Sequence, residues 1–270
     1  MDVSAYLNRI GIATTSAPSL NALRELHRRH LLSVPFENLS MHSGEKIILD
    51  LDLVYDKIVV KRRGGLCYES NGIFFWVLKV LGYRPCLLSA TVWNRFTGEF
   101  GPPSHMLLTV ELEGKRWLCD VGYGEGIREP LPIESEWEEK QENGTFRLRE
   151  DQGLWSLEVK EDSRWASLYK FTLEERQYED FSWACEYHQT SPSSIFFCKS
   201  ICSLQLLRGR VTYIGNRLIS TELTEDGRTA KTTQVLTEEE IPALLRDRFG
   251  IVLNRKLVPK DDEVPGQATL

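Results

Sequence analysis

The hydrophobic pattern changes its period between Gly82 and Pro85, and this change limits the possible folds more than any other feature. Before it, apolar residues such as Leu20, Leu23 and Leu26 recur at helical spacing, which predicts helices. After it, apolar runs such as "CLLSATVW" and "HMLLTVEL" alternate with turn residues, which is typical of strands. We therefore expect a helical part followed by a β part, in an α+β fold.

Three helices are predicted in the first part. One covers "SLNALRELHRRHLLS" and ends before Pro35, because proline cannot continue a helix. A second covers "LDLVYDKIVV", and a third begins near Cys67, after a Gly-Gly pair. Gly82 and Pro85 mark the end of the third helix.

The β part falls into two sets of strands. "HMLLTVEL" and "RWLCD" are predicted to form a hairpin through Glu113-Gly114-Lys115, and with "TFRLRE", "LWSLEVK" and "WASLYKF" they indicate a small barrel or sandwich. A polar connection is expected around residues 173 to 194. A meander of "ICSLQLL", "VTYIG" and "RLIST" follows, and then a helix from Thr237, with Glu240 completing a capping box, to Gly250.

Composition excludes several kinds of partner. The net charge of −6 disfavours general binding to nucleic acid or to an anionic membrane. No apolar segment follows Met1, and no apolar stretch approaches the roughly 20 residues of a membrane span. We therefore expect a cytoplasmic protein in which most of the six cysteines are reduced.

One cysteine stands in a position suited to chemistry. In "KRRGGLCYES", Cys67 follows two glycines and begins an apolar helix, and a helix N-terminus favours a thiolate. His105 starts a strand after the loop "TGEFGPPS", and Asp120 ends the partner strand of the hairpin. An aspartate there would orient the imidazole. Each residue also has a structural interpretation: a buried cysteine, a core histidine and a turn aspartate.

Seven segments together resemble a known family. "SVPFENL", "RRGGLCYESN", "SHMLLTVEL", "LCDVGYG", "TSPSS", "CSLQ" and "RKLVPK" occur in the order and at about the spacing found in arylamine N-acetyltransferases. The similarity runs from Tyr6 to Lys260. It implies an N-terminal helical bundle over residues 1–84, a central β-barrel over 85–190 and a C-terminal α/β lid over 191–270. The triad arrangement is expected to be like that of cysteine proteases.

The resemblance also implies an activity. The family uses acetyl-CoA as the donor, transfers the acetyl group through the cysteine by a ping-pong mechanism, and acetylates aromatic amines or hydrazines, including xenobiotics. By this pattern Cys67 carries the acetyl group, His105 activates the thiol and Asp120 orients the histidine. Arg63 and Glu69 are expected to form a structural pair around the cysteine turn.

The family's binding residues can also be placed on this sequence. The resemblance assigns five positions to acetyl-CoA: Gly101, Pro102, Ser104, Tyr187 and Ser193. It assigns Phe36 and Tyr123 to the slot for the acceptor, although Phe36 is equally explained by core packing. No metal, nucleic acid or membrane is implied.

Two alternatives remain open. A thiol hydrolase or a transglutaminase-like enzyme could use the same cysteine, histidine and aspartate. A binding module without catalysis would simply bury Cys67 as a core residue.

Overall fold

Helices dominate the first third of the chain. The computed structural model describes residues 1–14, 16–94, 98–224 and 229–264. Its helices are α1 (Val3–Arg9), α2 (Leu20–Ser33), α3 (Leu39–His42), α4 (Leu51–Tyr55), α5 (Cys67–Val80), α6 (Ser182–Thr190), α7 (Ile195–Cys198) and α8 (Ile241–Phe249). A π-helical turn (Asp56–Val60) continues α4, and a 3-10 turn (Tyr178–Phe181) precedes α6. The three helices predicted before Gly82 are confirmed as α2, α4 with its continuation, and α5.

All the strands among the described residues except the first lie after Gly82. They are β1 (Phe36–Glu37), β2 (Arg84–Asn94), β3 (Glu99–Leu112), β4 (Lys115–Cys119), β5 (Leu131–Pro132), β6 (Glu138–Gln141), β7 (Gly144–Asp151), β8 (Leu154–Glu161), β9 (Arg164–Phe171), β10 (Ile201–Leu206), β11 (Gly209–Ile214), β12 (Arg217–Leu223) and β13 (Thr229–Val235). The predicted hairpin is confirmed, because Leu112 pairs with Lys115 across the turn between β3 and β4.

Eight strands form an almost closed barrel. They are antiparallel, in the order β5-β4-β3-β2-β9-β8-β7-β6. The chain after β5 turns back to the other end of the sheet, where Ser135 bridges Leu148 and the Glu136 N–H donates to the Leu148 carbonyl at 2.7 Å. A cluster that includes Leu107, Leu118, Phe146 and Leu157 is buried in it. The expected barrel is therefore confirmed.

The middle of strand β3, from Ser104 to Val110, is buried on both faces. Leu107 belongs to the barrel cluster, whereas its neighbours Met106 and Leu108 pack with the N-terminal helices. This is why "HMLLTV" is an unbroken apolar run instead of an alternating one. Helix α5 packs against β3, and the start of the helix therefore lies close to the strand that carries His105.

The C-terminal part is a second antiparallel sheet with a helix packed on it. Its order is β1-β10-β11-β12-β13, and α8 packs against it through Ile241, Leu245 and Phe249. Strand β1 comes from the N-terminal part of the chain: Phe36 pairs with Ser203 of β10 and also bridges Gly65. The C-terminal sheet is thereby attached beside the turn that precedes Cys67.

Two predicted elements differ from the structure. The connection over residues 173 to 194 contains α6, whose buried residues Ala184, Cys185 and His188 have helical spacing but weak hydrophobicity. The last helix begins at Ile241 and not at Thr237. The Glu240 carboxylate does accept from the Thr237 N–H at 2.8 Å, but this bond closes a turn, and a proline in the first helical turn favours a start there.

The loop expected before His105 is mostly strand. Thr97 lies outside the described residues, and β3 starts at Glu99, with Pro103 paired to Thr91. Prolines are tolerated here because this part of β3 has β2 on one side only, since β4 pairs only with Leu108 to Leu112.

The boundaries proposed at residues 84 and 190 stay a prediction. Phe181 and Ala184 pack in the same apolar cluster as the N-terminal helices, although they precede residue 190. No helix among the described residues is long and apolar enough to cross a membrane.

Candidate active site

Cys67 is the first residue of α5 and is almost fully buried, with 5% of its surface exposed. The carboxylate of Glu69 accepts from the Leu66 N–H at 2.9 Å and so caps the helix. The turn before the helix requires glycine, because a Cβ on Gly64 would lie 1.8 Å from the Pro35 carbonyl oxygen. The glycine before the helix thus allows the chain to pass close to Pro35 and begin α5 at Cys67.

His105 and Asp120 form a buried pair. Nε2 of His105 lies 2.7 Å from Oδ2 of Asp120. The other carboxylate oxygen, Oδ1, accepts from Asn71 Nδ2 and from the Gly122 N–H, both at 2.9 Å. Asn71 is one helical turn after Cys67, so the same helix that carries the thiol also holds the carboxylate.

The charges in the pair stabilise each other. Burial alone would lower the pKa of His105, but the Asp120 carboxylate and a hydrogen bond with Cys67 raise it above its usual value. Burial would raise the pKa of Asp120, but the His105 charge and the hydrogen bonds to this carboxylate lower it. Because Nε2 contacts Asp120, Nδ1 is the nitrogen left for Cys67.

The loop after Asp120 packs directly on the cysteine. A Cβ on Gly122 would lie 2.7 Å from the Cys67 Cα, so this position needs glycine. His27 supports the same loop: its Nε2 accepts from the Asp120 N–H at 3.0 Å, and its Nδ1 donates to the Arg128 carbonyl at 2.9 Å. Burial lowers the pKa of His27 to about 4, which keeps it neutral.

Aromatic rings surround the imidazole and the nearby turn. Tyr123 and Tyr169 lie 5.6 and 5.3 Å from the His105 ring, centroid to centroid. Phe36, which is half-buried, contacts Phe196 at 5.6 Å. The structure therefore brings Tyr123 to the histidine and Phe36 to the turn before Cys67, while their role towards an acceptor stays a prediction.

The residues assigned to acetyl-CoA lie on two segments. On β3, Gly101 and Pro102 are exposed, whereas Ser104 is buried with its carbonyl oxygen 3.9 Å from Cys67 Sγ. On the other segment, Tyr187 lies in α6 and Ser193 is exposed in the turn after it. Their contact with acetyl-CoA stays a prediction.

Arg63 and Glu69 do not pair with each other as expected. Arg63 pairs with Glu37 at 2.9 Å and with Glu45 at 3.2 Å, and Glu69 pairs with Lys57 at 2.7 Å. Glu37 is fully buried. These partners come from other elements of the chain, so the spacing of Arg63 and Glu69 could not reveal them.

Arg63→Leu is expected to lower the free energy of unfolding by about 3–5 kcal/mol, because it removes the main partner of the buried Glu37 carboxylate. Urea denaturation followed by far-UV circular dichroism measures this change. Arg29→Leu is the control, since the Arg29–Glu25 pair is about half exposed and should contribute little. Equal, small effects of the two changes would contradict the prediction.

A thiol at a helix start, an imidazole and a buried carboxylate, on a fold of helices and a barrel, are an arrangement typical of the class of enzymes that transfer or hydrolyse acyl groups. The described residues contain no group of three or more His, Cys, Asp or Glu side chains placed to hold a metal ion.

Comparison with known proteins identifies the family within this class. The N-acetyltransferase family pattern matches residues 19–258. Arylamine N-acetyltransferase, pineal gland isozyme NAT-10, of Gallus gallus is 38% identical over 283 residues, covering 96% of this chain and 97% of that protein. This chain belongs to the arylamine N-acetyltransferase family of transferases.

Solved structures agree with this assignment. The arylamine N-acetyltransferase from Salmonella typhimurium superimposes with a TM-score of 0.87 at 27% identity, covering 99% of this chain and 94% of that one. The arylamine N-acetyltransferase from Mycobacterium marinum, in complex with CoA, superimposes with a TM-score of 0.83 at 29% identity, covering 93% of each chain. The expected fold class is confirmed.

Proposed function

We propose that this protein transfers the acetyl group of acetyl-CoA to aromatic amines or hydrazines, with Cys67 as the covalent carrier. The observation that carries this proposal is the buried contact of Asp120 with His105 at 2.7 Å, beside a thiol at the start of α5. The CoA bound to the Mycobacterium marinum relative supports acetyl-CoA as the donor.

The first half-reaction loads the enzyme. His105 takes the proton of the Cys67 thiol, and the thiolate attacks the thioester carbonyl of acetyl-CoA. The tetrahedral oxyanion collapses, the bond to the CoA sulfur breaks, and CoA leaves with the proton from His105. The N–H groups of Cys67 and Tyr68, in the first turn of α5, have no acceptor within the helix and can stabilise the oxyanion.

The second half-reaction forms the amide. The amine nitrogen attacks the acetyl-cysteine carbonyl, His105 takes the amine proton, and the carbon–sulfur bond breaks to return Cys67. Thioester exchange in the first half costs little free energy, whereas an amide is far more stable than a thioester, so the second half drives the reaction forward. Aromatic amines suit this step because they are mostly unprotonated near neutral pH, unlike a lysine amine.

The binding residues follow from the same proposal. An aromatic acceptor needs an apolar slot, and Tyr123, 5.6 Å from the His105 ring, and Phe36 are proposed to line it. The donor is proposed to contact Gly101, Pro102, Ser104, Tyr187 and Ser193. A cytoplasmic location and a role in xenobiotic metabolism stay predictions.

Intact mass spectrometry tests the proposal. The protein is mixed with acetyl-CoA without amine, and we expect one acetyl group on Cys67, located by peptide mapping and removed when an aromatic amine is added. Continuous CoA release with no adduct and no amine requirement would identify a thiol hydrolase instead. A Cys67 thiol inert to both acetyl-CoA and iodoacetamide would identify a binding module.

Steady-state kinetics should show that the two substrates react in turn. Because one thiol serves both half-reactions, initial rates varied in acetyl-CoA and amine are expected to give parallel double-reciprocal lines. Intersecting lines, with amine needed before any CoA is released, would show a ternary complex and remove the acetyl-cysteine from the mechanism.

A further inference from the structure

A β-bulge lies directly before His105. In the pairing of β2 with β3, Ala90 is opposite His105 and the next residue, Thr91, is opposite Pro103. Ser104 is therefore an extra residue in β3. Such a residue interrupts the ladder of hydrogen bonds and redirects the side chains beside it, so the Ser104 carbonyl is available to a partner from outside the sheet.

The partner is the residue that follows the cysteine. The Tyr68 hydroxyl donates to the Ser104 carbonyl at 2.6 Å. Tyr68 is fully buried, and its ring contacts Phe181 at 6.0 Å and His188 at 6.3 Å. One residue of α5 thus holds the bulge of β3.

The Cys67 thiol competes for the same acceptor. Its Sγ lies 3.9 Å from the Ser104 carbonyl oxygen, which is the outer limit of a hydrogen bond to sulfur, whereas the Tyr68 bond is short. A carbonyl that accepts an S–H bond stabilises the thiol and disfavours the thiolate, because it cannot interact favourably with a negative sulfur. The Tyr68 hydroxyl makes the shorter of the two bonds to this carbonyl and so weakens the bond from the thiol.

We propose that Tyr68 is a positioning residue for the reaction: its hydroxyl fixes the Ser104 bulge, which directs His105 towards Cys67, and weakens the hold of the Ser104 carbonyl on the thiol. This inference rests on the proposed function, because it requires Cys67 to react as a thiolate.

The other titratable groups near Cys67 do not account for the role proposed for Tyr68. These groups are His105 on β3, Glu69 on α5, Tyr178 in the 3-10 turn and Cys185 on α6. Burial raises the pKa values of Tyr178 and Cys185, so both stay neutral near pH 7. Glu69 is paired with Lys57, and Asp120 acts through His105. Burial also raises the pKa of Tyr68, which therefore remains a donor.

Tyr68→Phe tests the proposal, because it deletes one hydroxyl and keeps the ring. The matched control is Tyr178→Phe, since the Tyr178 hydroxyl donates to the backbone carbonyl of Tyr68 at 3.3 Å and touches neither Ser104 nor Cys67 by a hydrogen bond. For both variants and the unchanged protein, circular dichroism checks the fold, iodoacetamide alkylation of Cys67 is measured against pH, and acetylation by acetyl-CoA is followed in single turnovers.

In Tyr68→Phe, the midpoint of alkylation is expected to move up by about one pH unit, a tenfold loss of thiolate stabilisation. Acetylation at neutral pH should slow by about 10- to 100-fold, as for a small displacement of catalytic groups, with little change in the half-saturating acetyl-CoA concentration. Tyr178→Phe should keep both the midpoint and the rate.

Two results separate the possible failures. A folded Tyr68→Phe protein with an unchanged midpoint and rate would overturn the positioning role and leave the hydroxyl a structural group. An equal change in both variants would do the same, because it would mean that any lost tyrosine hydroxyl disturbs this region. Failure of the unchanged protein to form acetyl-Cys67 would instead overturn the proposed function.

Discussion

Cys67→Ala is expected to abolish acetyl transfer, with a loss of at least roughly 10⁴-fold, because removal of a covalent nucleophile leaves only binding and oxyanion stabilisation. The fold should persist, since the change removes a single atom whose contact with the Ser104 carbonyl is weak, at 3.9 Å. Amine-dependent CoA release and thermal denaturation measure the two effects. A loss of only a few-fold would show that another group carries the acetyl group.

The matched control for this change is Cys185→Ala. Cys185 is also buried and lies on the neighbouring α6, and burial raises its pKa to about 12, so it is a thiol at neutral pH. Burial likewise raises the pKa values of Cys86, Cys119, Cys198 and Cys202. Replacing any of these should cost roughly 1–3 kcal/mol of stability where the side chain is buried, and the reaction should remain.

Asp120→Asn is expected to slow turnover by a factor of roughly 10² to 10⁴, since the same change of the triad aspartate in a serine protease lowers kcat by a factor of about 10⁴. The contacts of the carboxylate explain why. Oδ1 accepts from Asn71 and Gly122, and Oδ2 faces His105 Nε2. An asparagine whose oxygen still accepts from Asn71 and Gly122 must turn its NH₂ group towards Nε2 of His105.

The imidazole then takes the wrong tautomer. Nε2 becomes the acceptor, so Nδ1 carries the proton and cannot receive one from Cys67. Alkylation of Cys67 at mildly acidic pH should fall together with turnover. The control is Asp180→Asn, because Asp180 caps a turn by accepting from the Gln177 N–H at 2.9 Å. If Asp120→Asn behaved like this control, Asp120 would be a turn residue.

The same pair should make stability depend on pH. The pKa of His105 is raised from 6.5. The contribution of His105 to the free energy of unfolding is therefore complete below pH 6.5, and it is lost as pH rises through the pKa of the folded state. The pKa of Asp120 is lowered from 3.8, so its contribution is complete above that pH and is lost as pH falls through the folded value. Between pH 3.8 and pH 6.5 both contributions are complete. The free energy of unfolding of Asp120→Asn should therefore differ most from that of the unchanged protein in this range.

The site could be predicted from sequence where its contacts are local. The Gly-Gly turn and the apolar run indicate Cys67 at a helix start. The hairpin of β3 and β4 pairs Leu108 with Cys119, which places Asp120 opposite Leu107 and next to His105 on the same side of the hairpin. Both inferences need only the spacing of residues close together in the chain.

The missed parts depend on contacts between distant segments. Asn71 could not be recognised as a carboxylate ligand, because its partner is 49 positions away. Arg63 and Glu37 are 26 positions apart, and the bond of Tyr68 to Ser104 depends on a bulge that no residue type signals. Helix α6 was missed because its buried face is formed by small and polar side chains.

The attachment of β1 to β10 joins the cysteine turn to a part of the chain that is synthesised late. The Ile201 N–H donates to Asn38 Oδ1 at 2.7 Å across 163 positions, and Phe36 in the same segment bridges Gly65, just before the cysteine. Contacts this distant in sequence form late, because closing so long a loop costs entropy before any contact repays it. On a ribosome, the segment beside the cysteine turn therefore gains this support only after about three quarters of the chain has been synthesised.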